Sequence, residues 1–407
     1  MKEVEVHLTI PTYGGEAMGR LADGRAVFVP FALAGETVRA HLVDEKRGFA
    51  RAALLEVLTP SPQRIQPKCI HFGECGGCHY QMLPYPEQLK LKETVLRDQL
   101  TRIGKIQNPP VKESVAATEA WNYRNHVQFH LTEDRRLGFV PASGNPWAVM
   151  PIQECHLPEA VLNTLWPQLQ FEADAPLERI SLRAGDEIML TLESDSAEAP
   201  AVEVEAGISV VHLSEDDSVV LAGDDHIIID VLARSFRVSA ASFFQINTAM
   251  AEKMTAYLLS NIRVSPSTIL LDIYCGVGLF SAFFAPKVKQ IIGIEISPTA
   301  CEDFTANLHE FDNIDLYEAA AEDVLPTLDI QPDIAIVDPP RAGLDKEALD
   351  AIIKLKPETL AYISCDPSTL ARDAARLIAG GYTLSEVTAF DLFPQTYHIE
   401  SISIFKR

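Results

Sequence analysis

A chain of 407 residues with 47% hydrophobic and 22% charged side chains is that of a folded protein, not a disordered or fibrous one, and is long enough for two or three domains. No apolar run reaches membrane-spanning length and the start, MKEVEVHLTI, lacks a signal-peptide core, so a cytoplasmic protein with no membrane partner is expected. The net charge of -23 speaks against phosphate binding only until it is located: residues 157–230 hold 17 acidic and 2 basic side chains, whereas residues 61–156 hold 11 basic and 9 acidic.

From Val4 to Leu58, short alternating runs (VEVHLTI, AVFVPFA, TVRAHLVDE, ARAALLEVL) are broken by Gly-rich turns such as YGGEAMGR and ADGR, which predicts a small antiparallel barrel. The Pro-rich stretch TPSPQRIQPK, residues 59–68, reads as a linker into a cysteine cluster. In residues 84–103, Leu89, Leu91, Val95, Leu96, Leu100 and Ile103 lie near helical spacing and Gly104 supplies a stop, predicting an amphipathic helix. Residues 123–240 alternate strand-like segments (VQFHL, LGFV, ISLRA, IMLTLE, SVVHL, IIIDVL, RSFRVS) with acidic loops, as in a mostly antiparallel region. After Phe243, apolar strands TILLDIY, IIGIEI, IAIVDPP and LAYISCD alternate with helical stretches near 249–262, 278–285, 298–310, 345–355 and 367–379. That alternation predicts a parallel sheet covered by helices on both faces, with ligands beyond the carboxyl ends of its strands. The expected fold class is multidomain α/β: an N-terminal β-barrel, a mostly antiparallel central domain and a C-terminal Rossmann-like domain. The expected bounds are 1–60 for the barrel, 61–84 with 116–242 for the central domain, and 85–115 with 243–407 for the last.

The segment LLDIYCGVGLF, residues 270–280, ends a strand on an acid, turns through Gly276 and Gly278 and enters a helix. One strand later, IIGIEIS puts Glu295 at a carboxyl end, where a carboxylate can accept hydrogen bonds from two ribose hydroxyls. The full three-glycine dinucleotide fingerprint is absent, so an adenosyl cofactor without a pyrophosphate fits better. In LAYISCDPSTLARD, Cys365 follows a strand, Asp366 is placed to cap the next helix and Pro367 to open it. A thiol at a helix start is expected to have a lowered pKa, the competing reading being a small buried core cysteine. Seven cysteines without an export signal point to metal binding or catalysis, not disulfides. Cys69, Cys75 and Cys78 follow C-x5-C-x2-C, with Cys155 downstream in PIQECHLP; such a set suits zinc and a [4Fe-4S] cluster equally. His71 and His79 are alternative ligands, and Cys275 and Cys301 are assigned to packing.

DIYCGVGLF, GIEIS and AIVDPPRAGL resemble the S-adenosylmethionine motifs of the RNA uracil-5-methyltransferase family, and FFQINT, residues 243–248, resembles the segment before its sheet. SCDPSTLARD resembles the family's nucleophile motif and DLFPQTYHIESISIFKR its terminal motif, while residues 1–58 resemble a TRAM domain, with Tyr13, Gly14, Gly15, Gly19 and Arg20 in its first turn region. The resemblance covers nearly the whole chain in the family's order. It implies a class I methyltransferase domain acting on carbon 5 of a uridine in RNA, with S-adenosylmethionine contacted by Gln245, Tyr274, Glu295 and Asp338. Cys365 would be the nucleophile that adds to carbon 6, Glu400 the base that later removes the carbon 5 proton, and His398 a supporting residue. Asn often stands where this chain has Asp366. The cysteine spacing resembles the iron-sulfur form of the family and implies a structural [4Fe-4S] cluster on Cys69, Cys75, Cys78 and Cys155. Barrel and cluster together resemble the ribosomal branch, so 23S rRNA is the expected partner ahead of tRNA, for a monomer. A non-catalytic RNA-binding or assembly factor, and a methyltransferase acting on DNA or a small molecule, are the readings from other classes.

Overall fold

Strict alternation of inward and outward side chains closes the front of the chain into a barrel of β1 (Glu3–Pro11), β2 (Glu16–Arg20), β3 (Ala26–Pro30), β4 (Thr37–Glu45) and β5 (Phe49–Thr59), in the order β1-β2-β3-β5-β4. Val6, Leu8, Ala17, Val27, Val29 and Val38 fill its interior. β2 lies inside the stretch read from sequence as a turn. Gly19 makes that strand possible, because a Cβ there would sit 2.4 Å from the His7 carbonyl oxygen. The computed structural model describes all residues except 1, 144, 146–147, 173–175, 197, 204–206 and 216.

The expected amphipathic helix is α1 (Tyr85–Arg102), and its buried face differs from its most apolar one. Val95, Leu96 and Leu100 pack under the C-terminal sheet, Leu89 and Leu91 are only partly covered, and Gln88 and Lys92 are buried. Long-range partners explain this. Gln88 Nε2 donates to Gln395 Oε1 at 2.9 Å, Gln395 N–H donates to Gln88 Oε1 at 3.0 Å, and Lys92 Nζ donates to Asp391 Oδ1 at 2.6 Å. α1 thereby clamps the segment just before the last strand.

Central strands β6 (His126–Leu131), β7 (Leu137–Phe139) and β8 (Met150–Pro151), helix α2 (Ala160–Leu165), and strands β9 (Arg179–Ala184), β10 (Ile188–Glu193), β11 (Ile208–Leu213) and β12 (Ser218–Ala222) follow. The strands form one sheet in the order β12-β11-β10-β9-β6-β7-β8, antiparallel except between β10 and β11. The next two strand-like segments form a separate hairpin, β13 (His226–Val231) and β14 (Arg234–Ser239). Its inward residues Ile227, Ile229, Phe236 and Val238 pack into the C-terminal core.

That core is built on β15 (Ile269–Ile273), β16 (Gln290–Glu295), β17 (Ile314–Glu318), β18 (Ile334–Val337), β19 (Thr359–Ser364), β20 (Thr383–Phe390) and β21 (Glu400–Lys406). Helices α3 (Thr248–Asn261), α4 (Leu279–Phe284), α5 (Pro298–Asn307), α6 (Ala321–Val324), α7 (Lys346–Leu355) and α8 (Pro367–Ala379) alternate with them. The order is β17-β16-β15-β18-β19-β21-β20; the first five strands are parallel, and β21 is inserted antiparallel between β19 and β20. Apolar clusters cover both faces, as continuous apolar strands require. Among the described residues no helix is long and apolar enough to cross a membrane.

Candidate active site

The chemistry-bearing residues meet because of strand register. In the antiparallel pair β19–β21, Ser364 lies opposite Ser401, so Cys365, which follows Ser364, and Glu400, which precedes Ser401, meet at the same end of the sheet. In the parallel pair β18–β19, Val337 lies opposite Tyr362, which brings Asp338 to that end too. Beyond these ends opens a cavity of about 1120 Å³, lined by Gln245, Tyr274, Glu295, Asp338, Cys365 and Glu400. All the residues expected to hold the cofactor or react are thus on one wall system.

The cofactor half is shaped by the turn after β15. Tyr274, Gly276 and Gly278 all take positive φ, at 63°, 52° and 88°. Gly278 is further constrained, since a Cβ there would come within 2.4 Å of Leu308, whereas nothing lies within 4 Å of a Cβ at Gly276, leaving the backbone open to a ligand. Glu295 is held by three backbone N–H donors, from Gly276 at 2.9 Å and from Ile296 and Ser297 at 2.8 Å each. Phe244, Val277, Leu279 and Phe280 supply an apolar lining beside the acids Asp338 and Glu400. An apolar lining with acids beside it and a carboxylate at a strand end suits a cationic adenosyl compound, and the residues present fit S-adenosylmethionine. The Gln245 segment is anchored by Asn125, buried between sheets, whose Nδ2 donates to the Gln245 carbonyl at 3.0 Å and to Thr248 Oγ1 at 2.9 Å.

At the reacting end, acids crowd one cation. Burial pushes the Cys365 thiol up to about 12, Glu400 and Asp338 add to the shift, and Arg341 opposes it. The lowered thiol pKa expected from the helix start is therefore corrected. Burial is the main reason and outweighs the helix start, whose Ser368 and Thr369 N–H groups donate to Asp366 Oδ1 at 2.8 and 3.1 Å. Asp366 caps the helix as expected. Burial, then the charge of Asp338, raises Glu400 well above the usual carboxylate range, with Arg341 again opposing. Asp338 is pushed up to about 7 by burial and by Asp272. Burial, aided by Arg341, lowers His398 to about 3 and keeps the ring neutral; it packs against Phe393 and Tyr397, with centroids 5.5 and 4.3 Å away. Arg341 was not singled out by the sequence reading, although it follows the Asp338-Pro-Pro stop directly.

Cys69, Cys75, Cys78 and Cys155 line a second cavity of about 730 Å³. Burial raises all four thiols, Cys78 to about 12 and Cys155 to about 11, and Arg124 pulls these two down. Of the alternative ligands, His71 Nε2 accepts from the Gln153 N–H at 3.0 Å, whereas the His79 ring stacks on Phe31 and its Nδ1 is buried without a hydrogen-bond partner among the described residues. Among the described residues no group of three or more His, Cys, Asp or Glu is placed to hold a single metal ion. Cys275 and Cys301 are buried in packing positions, as expected.

Residues 201–407 match the family model for tRNA (uracil-5-)-methyltransferase, and residues 1–55 match the TRAM domain. An uncharacterized RNA methyltransferase of Aquifex aeolicus is 34% identical, covering 100% of this chain and 99% of that protein. Another from Thermosynechococcus vestitus is 33% identical over 98% of this chain and 97% of its own length. The fold is similar to that of the Pyrococcus abyssi tRNA (uracil-54, C5)-methyltransferase in complex with S-adenosyl-L-homocysteine, with a TM-score of 0.75, 22% identity and coverage of 99% of this chain and 100% of that one.

Proposed function

Since the chain belongs to the tRNA (uracil-5-)-methyltransferase family, we propose that it methylates carbon 5 of a uridine in 23S rRNA, with Cys365 as nucleophile and Glu400 as base. The observation that carries this is the meeting of Cys365, Glu400, Asp338 and Arg341 in the cavity that also holds Gln245, Tyr274 and Glu295. Uracil carbon 5 is too weakly nucleophilic to be alkylated unaided. The Cys365 thiolate adds to carbon 6, and the electrons of the carbon 5–carbon 6 double bond move into an enolate that makes carbon 5 reactive. S-adenosylmethionine, when bound, supplies the electrophilic methyl. Glu400 then takes the carbon 5 proton, the double bond re-forms and the sulfur leaves carbon 6. Arg341 faces both groups as a cation and favours the ionised form of each. The target base has to leave its stack to present carbon 6 to the thiol.

We also infer that Cys69, Cys75, Cys78 and Cys155 hold a [4Fe-4S] cluster of structural role. What supports this reading is that the four thiols line one cavity and that their spacing resembles the iron-sulfur form of the family. Methyl transfer consumes no electrons. The barrel and cysteine loop support rRNA as substrate; tRNA is the second reading, favoured by the names of the matched family model and the Pyrococcus abyssi protein. Purified protein given labelled S-adenosylmethionine and, separately, unmodified 23S rRNA and tRNA decides between them. Cys365→Ala is expected to abolish transfer to the preferred RNA, and an unchanged rate would overturn the assignment.

A further inference from the structure

We propose that Tyr13 of the barrel is a positioning residue for the nucleophile: its hydroxyl, donated to Asp366, fixes the carboxylate that caps α8 and with it the turn carrying Cys365. This rests on Cys365 being the nucleophile. The two oxygens of Asp366 divide their work. Oδ1 accepts from the N–H groups of Ser368 and Thr369 and from the Ser368 hydroxyl, while Oδ2 accepts from the Tyr13 hydroxyl at 3.0 Å. No other side chain in the described hydrogen-bond network reaches Oδ2.

The barrel is built to deliver that hydroxyl. Thr12 closes a tight turn on the Glu16 carbonyl through both its N–H, at 2.9 Å, and its hydroxyl, at 2.8 Å, and Gly14 and Gly15 take φ of 105° and 84°. Those glycines let the turn lie flat on the cysteine loop, since a Cβ on Gly15 would sit 3.0 Å from the His79 ring. Tyr13 is half-buried and meets Tyr397 edge-on at 5.7 Å, and Tyr397 meets His79 edge-on at 4.6 Å. The ring is therefore steadied by the terminal segment, through Tyr397, which itself rests on His79 of the cysteine loop. Burial and the Asp366 charge keep the phenol protonated, so it donates throughout the working pH range. The bond joins residues 353 positions apart and couples seating of the barrel to the order of the residue beside Cys365.

The test uses the full-length enzyme as wild type, Tyr13→Phe, Asp366→Asn and the double variant. Two readouts are taken: kcat and KM for RNA, and the pH dependence of iodoacetamide alkylation at Cys365, followed by mass spectrometry of its peptide. Tyr13→Phe removes one hydrogen bond to a charged acceptor, and kcat is expected to fall roughly tenfold with KM for RNA within about twofold of wild type. The alkylation midpoint is expected to move to higher pH, because the carboxylate beside the thiol loses a donor. In the Asp366→Asn background the same substitution is expected to change neither readout further. Melting of Tyr13→Phe within about 4 °C of wild type separates positioning from unfolding. A raised KM with unchanged kcat would make Tyr13 an RNA contact, and additive losses in the double variant would make the two residues independent; either overturns the proposal. Alkylation needs neither RNA nor cofactor, so it reports on Tyr13 even if Cys365→Ala were to retain methyl transfer and the functional reading failed instead.

Discussion

Asp338, Cys365 and Glu400 each hold their proton more tightly than in water, and Arg341 is the cation set against two of them. Both working groups have to lose a proton before turnover, so the rate of methyl transfer is expected to rise with pH through neutrality into the alkaline range. Arg341→Met is expected to move that rise upward by about one pH unit, read from kcat against pH. Glu400→Gln removes an acid that raises the thiol but blocks proton removal. RNA carrying the methyl is then expected to stay joined to Cys365 and appear as a slow band on a denaturing gel, with turnover down by roughly 10² or more. Asp338 also has a stability consequence. Its folded pKa lies above its unfolded value, so the folded state binds the extra proton and stability falls as pH rises from the ordinary carboxylate range to about 7. Asp338→Asn is expected to gain on the order of 2 kcal/mol in urea unfolding at about pH 8, and nothing at about pH 3, while weakening cofactor binding.

At the scale of elements, Gly278 shows how a short turn ties packing to ligand binding. Its φ of 88° disfavours any side chain, and Leu308 and Phe304 of the α5 end occupy the space where a Cβ would go, at 2.4 and 2.9 Å. Gly278→Ala is expected to cost about 1–3 kcal/mol in thermal unfolding and to weaken S-adenosylhomocysteine binding measured by calorimetry. This turn was legible in the sequence because glycines after an apolar strand carry their own conformational signature. The parallel strands were legible for a similar reason: buried on both faces, β15, β16, β18 and β19 are predominantly apolar instead of alternating. Other features had no local signal. β2 hides in a Gly-rich stretch, and the α1 stripe misleads because Gln88 and Lys92 are buried by partners some 300 residues away. Asn125 and Tyr13 look like ordinary polar residues until the fold brings them to Gln245 and Asp366. The local rule that a helix start activates a thiol failed at Cys365 because burial, with Glu400 and Asp338 brought beside it by the fold, outweighs the helix start.

Across the whole molecule, the cysteine loop is the piece on which the other parts rest. It carries Phe72, which meets Phe31 of the barrel edge-on at 5.2 Å, and His79, which touches both Phe31 and Tyr397. Backbone N–H groups of His79 and Tyr80 donate to the Gln395 carbonyl at 2.8 and 3.0 Å, joining the loop to the segment that leads into Glu400. Cys155 lies on the far side of the second cavity, between Glu154, which accepts from the Ile70 N–H, and Leu157, which accepts from Arg124. A cluster held by the four thiols would therefore lock barrel, central sheet and terminal segment in one arrangement; Phe393 and Glu400 of that segment line one side of the first cavity, whereas the side with Gly276 and Glu295 is shaped by bonds within the C-terminal sheet. Cys155→Ser is accordingly expected to lose iron and acid-labile sulfide together, lower the melting temperature by several degrees and reduce RNA methylation about tenfold or more, with S-adenosylhomocysteine affinity held within about twofold. Iron and sulfide analysis after anaerobic purification, melting curves and calorimetry on the same preparation check each part. Loss of cofactor affinity in step with methylation would show instead that the loop supports the whole C-terminal domain, and zinc without sulfide in the wild type would remove the cluster from the account.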